Sequence, residues 1–365
     1  MLADERDIEL TKRSLAAAAK GIGLVSPNPL VGCVIISPDG QVVGEGIYLY
    51  DEIRHAEVIS LEHAGEQAKG GTAYVSLEPH SYHGKTPPCT EALIDAGISR
   101  VVCPIEDPNP LVSGKGFERL RNAGIEVVTG ILADAAAKLN EKFICWHKAG
   151  RPFVHLKLAM SLDGRISLTN SVSTALSGAG ARKRVHDLRH EHDAILVGGN
   201  TVVSDNPSLT DRSGRERRRK VVRVVLDNRL RIPLDSTLVT TAADTPTLVF
   251  SNSEDAAKIG ELQKAGVDVA QIDARDLTSV LAELRKRSIQ SVLVEGGSEV
   301  AGSFVDAKLV DKVTLILTPI IIGGQTAPVA VGGSGAAALT DALRLTDVET
   351  TRIGEDIEIT GYPAK

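Results

Sequence analysis

Along almost the whole chain, short apolar runs alternate with stretches whose apolar residues recur at helical spacing. The alternation stops once, at Trp146-His147-Lys148-Ala149-Gly150-Arg151-Pro152. A chain patterned this way has few choices beyond a sheet covered by helices, built twice. Gly, charge and Pro together mark a domain boundary, so we expect one α/β domain over residues 1–146 and a second over 152–365. In the first, helices are expected over 5–20, 55–68, 89–96, 115–122 and 133–146, and strands over 31–36, 41–47, 72–77, 100–104 and 125–128. In the second, strands are expected over 153–159, 194–197, 222–227, 247–250, 291–295 and 312–320, and helices over 179–189, 255–265, 277–288 and 299–307.

The formal charge of -6 and the 3% aromatic share argue against a nucleic-acid binder, which carries a basic face and stacking rings. The apolar run Val313-Thr314-Leu315-Ile316-Leu317-Thr318-Pro319-Ile320-Ile321-Ile322 is shorter than the roughly 20 residues of a membrane span, so it reads as buried strand. Cys33, Cys89, Cys103 and Cys145 show no disulfide framework, and the charged start Met1-Leu2-Ala3-Asp4-Glu5-Arg6-Asp7 is unlike a secretory signal. A reduced, cytoplasmic protein is expected.

Three short motifs carry the chemistry of the first half: His55-Ala56-Glu57, Glu78-Pro79-His80 and Pro87-Pro88-Cys89. Two imidazoles and a thiolate can fill three positions on a zinc ion and leave the fourth open for water. Glu57, two residues after the first ligand, is placed to move protons without ligating. Zinc deaminases of nucleobases share this layout, with a glutamate as general acid and base. Two helices are expected to begin at His55 and Cys89, so that their positive ends favour the Cys89 thiolate.

In the second half, Ser291-Val292-Leu293-Val294-Glu295 runs into Gly296-Gly297-Ser298 and a helix, a turn whose free amides suit a phosphate. It lacks the G-x-G-x-x-G spacing of a dinucleotide fingerprint. Lys157, Asp163-Gly164, Gly198-Gly199-Asn200-Thr201 and residues 205–212 also collect at strand ends, where open α/β sheets bind ligands. His186, His190 and His192 lie in a strongly charged stretch and read as a solvated helix end rather than a metal site. Arg215-Glu216-Arg217-Arg218-Arg219-Lys220 likewise reads as an exposed loop whose charge could steer a phosphorylated substrate.

With both halves in view, nearly the full length resembles the bifunctional deaminase/reductase family of riboflavin biosynthesis. In the first half the resemblance rests on residues 27–35, His55-Ala56-Glu57, Gly84-Lys85-Thr86-Pro87-Pro88-Cys89 and Glu106-Asp107-Pro108-Asn109-Pro110. In the second it rests on residues 157–164, Asp205-Asn206-Pro207-Ser208-Leu209-Thr210 and Glu295-Gly296-Gly297. The family implies a cytidine-deaminase-like domain followed by a dihydrofolate-reductase-like domain, with zinc and NADPH as cofactors. It also implies a small phosphorylated pyrimidine as substrate and a homo-oligomer. By that resemblance His55, His80 and Cys89 hold zinc, Glu57 moves protons, and Asn28 and Lys85 meet the deaminase substrate. Ser173, Arg189, Leu209, Arg212 and Glu295 match substrate positions of the reductase, and Lys157 is a further residue of that site. Arg189 and Arg212 suit the sugar phosphate. Ala159, Ala175, Thr201, Asp205, Asn228 and the run Gly297, Ser298, Glu299, Val300, Ala301, Gly302 and Ser303 match cofactor positions.

The chain departs from the family pattern at four places. His80 stands where a Cys is usual, which adds one positive charge to the metal site and should acidify the bound water. Tyr82 and Tyr48 each replace a usual His, and Ala175 replaces a Trp beside the cofactor. Two further readings follow: a reductase whose first domain is structural, and a non-catalytic nucleotide sensor. Intact Glu57 disfavours the first of these, and the combination of Asp205, Arg212 and Glu295 disfavours the second.

Overall fold

The computed structural model describes residues 4–84, 86–169 and 176–364. They fall into two compact units, 1–150 with 216–218, and 151–215 with 219–365.

The first unit runs α1 (Glu5–Ala19), β1 (Gly32–Ile36), β2 (Val42–Ile47), α2 (Ala56–Ala64), β3 (Thr72–Val75), α3 (Cys89–Asp95), β4 (Arg100–Cys103), α4 (Lys115–Asn122), β5 (Glu126–Thr129), α5 (Ala133–Leu139) and α6 (Glu141–Lys148). The sheet order is β2-β1-β3-β4-β5. β1 is antiparallel to both β2 and β3, whereas β3, β4 and β5 are parallel. α2 lies directly on β2 because that strand carries glycines: a Cβ on Gly44 would fall 2.0 Å from Ser60 O, and one on Gly46 2.4 Å from Ala56 O. The close approach fixes the start of α2, and with it His55 and Glu57.

The single helix expected over 133–146 is two. Asn140 breaks it at φ -102°, ψ 21°, and its buried amide receives Leu30 N at 2.9 Å and donates to Leu30 O at 3.0 Å. Residues 65–68, expected as helix, form a 3₁₀ turn.

The second unit runs β6 (Phe153–Ser161), α7 (Ala179–Glu191), β7 (Ala194–Gly198), α8 (Gly199–Asp205), β8 (Val222–Leu226), α9 (Thr237–Thr240), β9 (Thr247–Ser251), α10 (Ala256–Lys264), β10 (Asp268–Gln271), α11 (Leu277–Lys286), β11 (Ser291–Val294), α12 (Ser298–Asp306), β12 (Lys312–Thr318), β13 (Leu345–Ile353) and β14 (Asp356–Pro363). The order is β10-β9-β8-β7-β11-β6-β12-β14-β13, parallel from β10 to β12 and antiparallel beyond. Successive residues of β7 point to opposite faces, Leu196 into one core cluster and Ile195 and Val197 into another. Both faces are covered, which is why the central strands read as continuous apolar runs.

The sequence reading missed α8, α9, β10, β13 and β14. β13 is exposed along nearly all of its length, so it offers no apolar alternation to recognise. The histidines of α7 are a second correction: His190 and His192 are each only 2% exposed, not solvated. His192 Nδ1 lies 2.7 Å from Leu188 O, and its Nε2 lies 3.3 Å from Nδ1 of His155, itself buried. His190 pairs with Asp211 at 2.9 Å.

Candidate active sites

In the first unit the segments following β3 and β4 meet the starts of α2 and α3. His55 caps α2, Cys89 opens α3, and His80 follows β3. The ligand atoms of His55, His80 and Cys89 lie within 4.8 Å of one another, and Cys89 Sγ is 3.8 Å from His80 Nε2. The rings of His55 and His80 meet edge to face at 4.7 Å. Burial, reinforced by His80, lowers the His55 pKa to about 4; burial also lowers that of His80, so both imidazoles favour the neutral form that ligates a metal. Burial pushes the Cys89 thiol well up, which overrides the expected effect of the helix end. Its thiolate therefore needs a cation at this place.

The donors fit zinc: two neutral imidazoles and one thiol converge, while His80 Nδ1 and Glu57 Oε2 are buried without hydrogen-bond partners. Glu57 is 3% exposed, and burial raises its carboxyl to about 7 despite a hydrogen bond with Cys89. His80→Ala is expected to drop zinc occupancy from one per chain to a trace, read by metal analysis. Zinc that persists in that variant while still needing Cys89 would shift the ligand role to another residue, such as His83.

Beside the triad lies a cavity of about 330 Å³ lined by Asn28, Tyr48, Glu57, Asp107, Asn109 and Trp146, among others. Asn28 Nδ2 donates to Tyr48 OH at 2.6 Å, which leaves the Asn28 carbonyl oxygen for a ligand. Burial raises the Asp107 carboxyl to about 6. The loop after β4 is held by Glu78: Oε2 receives the amides of Asp107 and Gly114 at 3.0 Å each, and Oε1 those of Gly116 at 2.9 Å and Phe117 at 3.3 Å. Lys85 lies outside the described residues. The sequence reading gave no role to Asp107 or Asn109, although both sit in a motif that it quoted. Trp146 and His147, read from sequence only as the start of the boundary segment, line the cavity together with Phe143 of α6.

In the second unit Glu295, just past β11, is the centre of charge. Arg189 from α7 grips it through Nε at 2.6 Å and Nη2 at 3.1 Å, and Lys157 Nζ on β6 lies 3.5 Å away. Burial alone would raise the Glu295 carboxyl, but these two cations hold it at about 2. Arg189 Nη1 also donates to Thr210 O at 3.2 Å, and His186 Nδ1 receives Arg212 N at 3.3 Å. α7 thereby fixes the loop bearing buried Leu209 (φ 46°) and exposed Arg212.

The expected cofactor residues divide. Gly297 precedes α12, a helix without a side-chain cap, and a Cβ on it would stop 3.8 Å from Thr201 Oγ1. That opening, with the first amides of α12 at Ser298, Glu299 and Val300, fits an anionic dinucleotide. Ala301 and Gly302 are buried, Gly302 tightly against Gly332, whereas Ser303 is exposed. Ala159 lies on β6, and exposed Asp205 ends α8. Asn228 is already engaged, donating to Asp273 at 2.6 Å and accepting Ala274 N at 2.7 Å. Ser173 and Ala175 lie outside the described residues.

Residues 4–105 match the cytidine and deoxycytidylate deaminase zinc-binding region, and residues 152–359 match the RibD C-terminal domain. The class is thus a zinc-type deaminase joined to a reductase in one polypeptide. The riboflavin biosynthesis protein RibD of Actinobacillus pleuropneumoniae is 41% identical over 96% of this chain and 94% of its own. That of Bacillus amyloliquefaciens gives the same figures. The solved RibD of Acinetobacter baumannii superposes with a TM-score of 0.88 at 36% identity, covering 99% of each chain. A Thermotoga maritima structure described as a diaminohydroxyphosphoribosylaminopyrimidine deaminase/5-amino-6-(5-phosphoribosylamino)uracil reductase gives 0.87 at 36%, covering 98% of this chain and 99% of its own. The chain belongs to the RibD family, the bifunctional deaminase/reductases of riboflavin biosynthesis. Among the described residues no helix is long and apolar enough to cross a membrane.

Proposed function

We propose that the first unit deaminates 2,5-diamino-6-(5-phosphoribosylamino)pyrimidin-4-one. The second then reduces the ribosyl chain to ribityl with NADPH, giving 5-amino-6-(5-phosphoribitylamino)uracil in the cytoplasm. The observation that carries the reading is Glu57, a buried carboxyl with one unpartnered oxygen beside three convergent zinc donors. Zinc held by His55, His80 and Cys89 supplies the Lewis acidity that makes water nucleophilic at neutral pH. Glu57 would take one proton from the attacking water and give it to a ring nitrogen, then take the second and give it to the amino group, which leaves as ammonia, work suited to a group titrating near 7. Asn28, its amide oriented by Tyr48, accepts a hydrogen bond from the substrate.

In the second unit a bound nicotinamide would supply hydride to the sugar carbon that bears the amine, and the oxygen released as the sugar ring opens would take a proton from solvent. Lys157 and Glu295 face the sugar, and Arg189 keeps Glu295 ionised, so that it accepts a sugar hydroxyl rather than giving up a proton. Arg212 anchors the sugar phosphate. Ammonia release and NADPH oxidation, assayed separately on the purified protein, test the two halves; absence of either removes that half of the proposal.

NADPH should be preferred to NADH at least tenfold, because charge-assisted hydrogen bonds to the extra phosphate are worth roughly 1.5 to 3 kcal/mol each. Arg212→Ala should raise the KM for the sugar-phosphate substrate about tenfold, with smaller effect on the cofactor. Steady-state kinetics with both cofactors decide. Indifference between them, or unchanged substrate KM, would contradict this placement of the anions.

A further inference from the structure

The basic run 215–220 is used by neither site as described so far, yet it is not the plain exposed loop its composition suggests. Residues Glu216–Arg218 belong to the first unit. Arg218 is half-buried there and held at three points: its backbone N–H donates to Gly23 O at 2.9 Å, Nη2 donates to Ser26 O, and the guanidinium lies 3.8 Å from the centre of the Tyr50 ring. Among the described residues Nε is buried without a partner, and no hydrogen bond engages Nη1.

Tyr50 lines an outer cavity of about 500 Å³ with Asp51, Ile53, Gly84 and Thr86, and this space shares Asn28, Tyr48, His55, His80 and Tyr82 with the inner one.

The charges of the two cavities differ. The inner one is lined by the carboxyls of Glu57, Glu78 and Asp107, a poor place for a phosphate. The outer one has a single carboxyl among its described lining residues, the exposed Asp51. A guanidinium stacked on a tyrosine keeps its edge for an oxyanion, which it meets with a planar fork. Because the two cavities share these residues around the metal donors, a ligand with its ring at the donors has room to extend its phosphate into the outer space.

We infer that Arg218 anchors the substrate's phosphate at the mouth of the deaminase cavity and so sets specificity for phosphorylated over unphosphorylated pyrimidine. This rests on the deaminase reading above. The test compares ammonia release from the phosphoribosyl substrate and from its dephosphorylated counterpart, in wild type, Arg218→Ala and Arg218→Lys. Zinc content and melting temperature are measured on each, because the arginine also ties Gly23 and Ser26.

Arg218→Ala is expected to raise the KM for the phosphorylated substrate at least tenfold, the equivalent of one charge-assisted contact, and to cut the preference for it by the same factor. Arg218→Lys should recover part, having charge without the fork. A preference within twofold of wild type in Arg218→Ala overturns the assignment, and so does an equal loss on both substrates, which would make the residue a structural tie. A wild-type protein that deaminates neither compound overturns the deaminase reading, and this inference with it.

Discussion

Glu57→Gln is expected to cut ammonia release by about 100- to 10,000-fold, the range over which a positioned general acid-base group acts. The amide keeps the size of the carboxyl and can still face Cys89, so zinc occupancy should stay at the wild-type level. The loss falls on proton transfer alone, because glutamine can neither take the proton of the attacking water nor return it to the leaving amine. Glu57 is buried in the first unit, whereas Lys157, Arg189 and Glu295 belong to the second, so reduction of preformed deaminated substrate should continue. Three measurements on one preparation settle it: zinc content, ammonia release and NADPH oxidation. Equal loss of both activities would point to a folding defect or a composite site.

The second large effect concerns Glu295. Its carboxyl titrates at about 2 in the folded protein, against about 4.3 for a free glutamate, so it binds its proton more weakly folded than unfolded. The stability this supplies is fully present above the unfolded value and is lost as pH falls from about 4 through 2. The shift amounts to something on the order of 3 kcal/mol. Glu295→Gln removes the anion that Arg189 and Lys157 share and leaves two largely buried cations facing each other, although the charge of Asp211 still acts on Arg189. Reductase turnover should fall at least about 100-fold, while cofactor affinity, which we assign to the start of α12, should change far less. The variant should also lose the part of the acid-unfolding profile that lies between pH 4 and 2. A variant with wild-type kcat, or one whose defect is confined to cofactor KM, would remove Glu295 from the reacting end of the site.

Legibility from sequence followed how closely chemistry was packed into motifs. His55 with Glu57, His80 and Cys89 each stand in short segments of recognisable spacing, so the zinc donors could be read before any fold was known, and the structure brings them together. Glu295 was singled out by the family resemblance rather than by its turn alone, and the structure sets it against Arg189 and Lys157. What could not be read is single residues whose role depends on folding back from afar. Trp146 and His147 looked like the end of a domain, and only the break at Asn140, anchored to Leu30, turns α6 toward the cavity. Nothing in a strongly charged stretch distinguishes buried His190 from exposed Lys183, since their burial is decided by which face of α7 meets the sheet. β13 escaped because a strand with solvent along its length has no pattern to show.

Glu78 gives the metal site a timetable. All three donors have been synthesised once the ribosome passes Cys89, yet the carboxylate two residues before His80 meets its four amide partners only when the chain has reached Phe117 and turned back. Until then a nascent chain has the donors without the frame that holds them, and zinc arriving early finds flexible side chains instead of a tetrahedral seat. The frame around the donors is thus complete only when a loop downstream of all three has closed on Glu78. A truncation ending between Cys89 and Phe117 would keep the whole ligand set and still make a poor zinc protein.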